Sequence, residues 1–137
     1  IGVPPFLIQS SVLGVMAQRL VRTLCPHCKQ PIEITDQDWK ALVKPWKAHK
    51  PDTIQSPVGC LECRNTGYMG RVGIYEMFTF SPDIKRHISG NYDMSKLRVQ
   101  AQKEGLRPLR LSGASKVAKG ITTIEEVMRV APPPIEL

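Results

Sequence analysis

Nowhere in this 137-residue chain does a hydrophobic run approach the roughly 20 residues that a membrane-spanning helix needs, so no span is expected. A phosphate-binding loop of the form G-x-x-x-x-G-K-[ST] is also missing. The one glycine-rich stretch, Gly67-Tyr68-Met69-Gly70-Arg71-Val72-Gly73, has no such lysine and leads into a strand pattern instead of a helix N-terminus. Histidine is scarce. His27, His49 and His87 stand isolated, and no Ser-His-acid order or nucleophile elbow can be assembled around them. There is no repeat, no low-complexity tract and no block of five or more basic residues. On its own the chain presents no catalytic centre.

What remains is the composition of a folded soluble protein, 42% hydrophobic and 23% charged. The length suits one ordinary domain, or a small core carrying an appendage. A net charge of +7 biases the chain toward anionic partners such as nucleic acid, acidic lipid or an acidic protein face. Its 19 basic residues are scattered, however, which equally describes a solvated basic surface. The chain opens Ile1-Gly2-Val3-Pro4-Pro5-Phe6, with neither an initiator methionine nor a polar terminus, and is expected to be a piece of something longer.

All four cysteines lie between residues 25 and 63, as Cys25-Pro26-His27-Cys28 and Cys60-Leu61-Glu62-Cys63. A Cys-x-x-Cys turn presents two thiolates to one point, and two such turns supply the four soft ligands of a closed, tetrahedral, structural zinc site. The spacing exceeds that of the common zinc ribbon, so residues 29–59 read as an insertion between two knuckles. Three other readings stand beside zinc. Two disulfides suit an oxidising compartment, but no signal peptide is apparent. Inert thiols do not need this spacing. Cys-Pro-His-Cys is also similar to the active-site turn of periplasmic thiol oxidases, a reading that requires a helix straight after the motif where Lys29-Gln30-Pro31 follows instead.

Along the chain, Ser10 or Ser11 is expected to cap a helical stem with Leu13, Met16, Leu20 and Leu24 at helical spacing, although Leu20–Leu24 also fits a short strand. Thr35-Asp36-Gln37-Asp38 has the form of a helix start, with Trp39, Leu42, Val43 and Trp46 following and Pro45 ending or kinking it. Lys40, Lys44 and Lys47 beside the tryptophans fit an interfacial helix, or two tryptophans packed over the metal module with the lysines in water. From Arg71 to Phe80 the apolar residues Val72, Ile74, Phe78 and Phe80 alternate as in a half-buried strand, and Glu76 on that face calls for a partner, a basic residue of the helical stem being the candidate. Helices are then expected from Ser81-Pro82-Asp83 to Gly90, from Ser95 to Glu104, from Leu109 to Lys119, and from Thr122-Thr123 to Pro132. The fold class read from this pattern is α+β, mostly helical.

The run from Ser11 to Cys28, with Gly59-Cys60 through Cys63, Thr66-Gly67-Tyr68, Gly70-Arg71, Gly73-Ile74-Tyr75-Glu76 and Thr122 through Val127, resembles the C-terminal end of the type II secretion and type IV pilus assembly ATPases. That resemblance implies the end of a RecA-like domain with a small zinc module and a C-terminal helical subdomain. Residues 1–24 would close the ATPase core, 25–75 would form the tetracysteine module with its insertion at 29–59, 76–131 the helical subdomain, and 132–137 a tail. It implies Cys25, Cys28, Cys60 and Cys63 as zinc ligands. Arg19, Arg22 and Arg71 become candidate intersubunit or nucleotide-sensing cations. It further implies a hexameric parent on the cytoplasmic face of the bacterial inner membrane, with inner-membrane platform proteins as partners. ATP and Mg²⁺ sites would lie upstream of Ile1, so this segment is not expected to be an enzyme by itself. Acidic lipid is a possible contact and nucleic acid is not expected. A zinc-ribbon nucleic-acid binder and a thiol oxidoreductase remain the alternative readings.

Overall fold

A computed structural model describes residues 1–133 and divides the chain into two compact units. One comprises Ile1–Ala17 and Glu76–Arg107. The other comprises Gln18–Tyr75 and, among the described residues, 108–133. The elements in chain order are α1 (Pro5–Ser11), β1 (Gly14–Leu24), β2 (Gln30–Glu33), α2 (Asp36–Val43), β3 (Thr53–Ser56), β4 (Tyr68–Thr79), α3 (Pro82–Arg86), α4 (Met94–Lys103), α5 (Leu109–Ala118) and α6 (Ile124–Val130). β1 pairs with β4, and β2 pairs with β3. The class is α+β.

The expected helical stem before Cys25 is a strand. β1 carries the β-branched residues Val15, Val21 and Thr23, and its partner β4 lies beyond the whole cysteine segment, out of reach of a local periodicity. Of the four residues that set the helical spacing only Leu24 is buried; Leu13, Met16 and Leu20 are exposed. The helix in this region is the earlier α1, begun by Pro5 in its first turn. Ser10 and Ser11 end it instead of starting one, both donating their hydroxyls back to the Leu7 carbonyl.

The core of the larger unit gathers Val21 of β1, Trp39, Leu42 and Val43 of α2, Ile54 of β3, Ile74 of β4, Val117 of α5 and Val127 of α6. α2 forms where its cap predicts. Thr35 Oγ1 accepts the Asp38 N–H at 3.1 Å, and the helix stops at Val43 before Pro45. Trp39 enters this core and donates its indole N–H to the Ala48 carbonyl at 3.0 Å, while Lys40, Lys44 and Lys47 are exposed. α5 and α6 meet at Gly113, where a Cβ would stand 2.4 Å from a Val127 methyl, so no side chain fits at that crossing.

The smaller unit closes over Ile84, Ile88 and Ala101, with Ile8, Phe78, Phe80, Leu97 and Leu106 packed against them. Ser81 caps α3 by accepting the Ile84 N–H, and its hydroxyl donates to Glu104. α3 ends at Arg86, short of the expected Gly90. α4 ends where it should, with Gly105 at φ +98°.

Candidate metal centre

The first knuckle hangs from the end of β1. Leu24 N–H donates to the Ile121 carbonyl at 2.8 Å and Cys25 N–H to the Gly67 carbonyl at 2.9 Å, which fixes the backbone as it enters the turn. The second knuckle is shaped by two left-handed residues in succession, Arg64 at φ 56° and Asn65 at φ 62°, an arrangement that costs free energy outside a determined turn. Asn65 N–H to the Cys60 carbonyl at 2.8 Å and the Thr66 hydroxyl to the Cys63 carbonyl at 2.7 Å hold it. Gly67 then leaves the turn at φ +80° against Pro57, whose Cβ would lie 2.5 Å from any Cβ placed there.

Two thiol pairs 32 residues or more apart need something to bring them together, and that is the β2–β3 ladder. It pairs Gln30 with Ser56, Pro31 with Gln55, Ile32 with Ile54 and Glu33 with Thr53, so the two ends of the insertion arrive side by side. Each strand has four residues, and neither shows a sequence period long enough to be read.

All four Sγ atoms lie within 4.8 Å of one another. Cys25 to Cys60 is 3.8 Å, Cys28 to Cys63 is 3.9 Å and Cys60 to Cys63 is 3.8 Å. The corners of a tetrahedron of thiolates about 2.3 Å from a central ion are about 3.8 Å apart. The spacing therefore fits a four-coordinate metal ion, and the four cysteines are not joined as disulfides.

The surroundings treat the thiols unequally. Burial pushes the Cys25 thiol up to about 11, with partial relief from the His27 backbone N–H. Burial acts the same way on Cys63, but backbone N–H groups of Cys60 and Gly67 donate to its sulfur and bring it down to about 6. Cys25 is thus the reverse of an activated nucleophile, since it is fully buried and its thiolate is disfavoured.

The candidate arginines sit elsewhere, Arg19 and Arg22 on β1 and Arg71 on β4. Arg22 holds Glu126. Its backbone N–H donates to Oε2 at 2.8 Å, and its Nε and Nη2 donate to Oε1 at 3.0 and 2.8 Å. Arg129 adds a donor to Oε2 at 3.0 Å. The Arg22 guanidinium also lies 4.1 Å above the Tyr68 ring, whose hydroxyl meets Thr123 Oγ1 at 3.0 Å. The Glu126 side chain is 3% exposed, and although burial alone would raise its pKa, the two arginines hold it at about 2. Arg19 is exposed on β1 with its guanidinium on the Gln18 carbonyl, and Arg71 is exposed on β4.

The family model for type II/IV secretion system proteins matches residues 1–129. The chain belongs to that family. It is 46% identical over 132 residues to the type IV pilus assembly ATPase TfpB of Acinetobacter baylyi, covering 96% of this chain and 23% of the relative. The type IV pilus assembly ATPase PilB of Pseudomonas aeruginosa is 44% identical over 131 residues, with 94% and 23% covered. The type II secretion system protein E of the same organism is 42% identical over 130 residues, with 94% and 25% covered. The chain spans about a quarter of the length of these relatives.

Within this member of the family, sequence reading missed Glu126 as a site residue. The overlapping capping boxes at Thr122 and Thr123 were the available signal. Thr123 Oγ1 accepts the Glu126 N–H at 3.2 Å, and the carboxylate two residues beyond the helix start is thereby turned toward β1. No helix among the described residues is long and apolar enough to cross a membrane.

Proposed function

We propose that this chain is the C-terminal segment of a hexameric motor ATPase that powers type II secretion or type IV pilus assembly. In it Cys25, Cys28, Cys60 and Cys63 hold a structural zinc ion. Residues 1–24 close the ATPase core, 25–75 form the zinc module and 76–131 the helical subdomain. The observation that carries the reading is the near-tetrahedral spacing of four thiols within a chain of this family. A bound zinc would cross-link the two knuckles and leave no open coordination position for catalysis. The chain's own residues do the rest. Gly59, Cys60 and Gly67 N–H groups orient sulfurs, and Arg22 with Arg129 clamps Glu126 so that α6 is fastened to β1.

In the longer protein, ATP and Mg²⁺ bind upstream of this segment. The assembly acts in the cytoplasm, peripheral to the inner membrane, against platform proteins and acidic lipid. A rigid knob on such a segment carries domain motion to a partner as a body. Arg19 and Arg71, both exposed, are the cations left for intersubunit or nucleotide contact; Arg22 serves through its clamp.

Metal content per chain after purification without chelator, paired with thiol titration, tests the site. One zinc and four thiols released only on denaturing chelation are expected, and a metal-free chain with Cys25 and Cys28 readily oxidised refutes it. The motor reading predicts no ATP hydrolysis by the segment and hydrolysis by a hexamer once the upstream part is restored. A full-length protein that neither assembles nor hydrolyses ATP overturns that half.

A further inference from the structure

The four ligands differ in access and in hydrogen bonding. Cys25 and Cys63 are buried, whereas Cys28 and Cys60 are half-buried. Cys63 Sγ accepts the Cys60 N–H at 3.3 Å and the Gly67 N–H at 3.2 Å, and Cys28 Sγ accepts the Gly59 N–H at 3.3 Å. The described residues bring no backbone N–H to Cys60 Sγ; its neighbours are the sulfurs of Cys25 and Cys63, each at 3.8 Å. An N–H donated to a thiolate draws on the lone pair that would attack an electrophile, and burial blocks the approach of the electrophile itself. Such outer contacts tune metal-bound thiolates in the same way. Cys60 alone in the cluster is both approachable and free of that restraint.

From this combination we propose that Cys60 is a modification site, the ligand at which soft carbon electrophiles of the α,β-unsaturated carbonyl class open the metal centre. The inference rests on the metal reading above. In the step, the Cys60 thiolate adds to the β-carbon of the electrophile and a carbon–sulfur bond forms. The π pair moves to the adjacent carbon, which takes a proton from water. The product is a neutral thioether, a far weaker ligand than a thiolate, and three ligands remain where four had been.

The test treats the metal-loaded 137-residue chain with less than one equivalent of N-ethylmaleimide, maps the adducts by mass spectrometry and follows released ion with a chromogenic chelator. The first adduct is expected on Cys60, with one ion released per adduct. Cys60→His keeps four donors but removes the thiolate, so release by maleimide should slow several-fold. First adducts on Cys28, adducts spread evenly over the four cysteines, or unchanged release from the Cys60→His chain overturn the proposal while the metal reading stands. A chain that carries no metal overturns both.

Discussion

The two units are fastened by different means. In the larger, Val21, Leu42, Ile74, Val117 and Val127 are wholly shielded from solvent, and seven further buried residues join them among those described. The smaller buries Ile84, Ile88 and Ala101, and leaves Phe6, Leu13, Val15, Met16, Met77 and Met94 exposed. Full burial of one aliphatic side chain contributes about 1.5–3 kcal/mol, whereas fixing one residue's backbone costs about 1–2 kcal/mol. A three-residue core is therefore a weak fastening. Polar ties supplement it, with the Gln9 amide on the Lys85 carbonyl at 2.9 Å and Ser81 between α3 and Glu104. The contrast teaches that the cysteine cluster lies in the unit that already has the larger core.

With zinc in the proposed site, stripping it should produce the largest effect, since structural zinc contributes on the order of 10 kcal/mol in small metal-folded peptides. Chelation is expected to raise amide exchange at residues 24–30 and 57–68 while α3 and α4 keep their protection. Simultaneous loss in both units would break the comparison. Next, Leu42→Ala should cost about 2–5 kcal/mol and lower the main urea transition. Ile84→Ala makes a comparable deletion in the smaller unit, and should accelerate exchange in α3 and α4 while leaving that transition in place.

Acid should act on the larger unit through Glu126. Its carboxyl lies below the ordinary value of 4.5, at about 2, so the stabilisation is fully present above the ordinary value and is lost as pH falls through the lower one. The difference corresponds to roughly 3 kcal/mol. Urea midpoints measured from pH 5 to pH 2 should fall steeply for this chain and less steeply for Glu126→Gln, which has no proton to gain. Equal slopes would remove the clamp from the account. Smallest, Thr123→Ala should cost about 1 kcal/mol by unsaturating the α6 cap and freeing the Tyr68 hydroxyl, measured as a modest shift in the same midpoint.

Local signals were readable and distant ones were not. Thr35, Ser81 and Thr123 announce α2, α3 and α6 because a cap is a contact between near neighbours. The alternation of Val72, Ile74 and Phe78, continued by Phe80 just past the strand end, shows β4 because one face of it is covered. β1 misled because Leu13 just before it and Met16 and Leu20 within it imitate a helical stripe, although all three are exposed. The cysteine spacing picked out the four thiols that the structure brings together, but not the β2–β3 ladder that joins them, since Ile54 is buried and Ile32 opposite it is exposed. Arg22 could be singled out, whereas its pairing with Glu126 joins residues 104 apart in sequence.

The insertion is also less of an excursion than its position suggests. Ile34, Trp39, Leu42, Val43 and Ile54 supply one side of the core, and Leu109, Ala114, Val117 and Val127 supply the other. A nascent chain emerges from the ribosome N-terminus first, so all four cysteines are in solution before α5 and α6 have been made. The apolar face of α2 must then wait for its cover. A cysteine cluster closed early by the proposed metal would tether that face beside β1 through the interval, a part in assembly distinct from any fastening of the finished molecule.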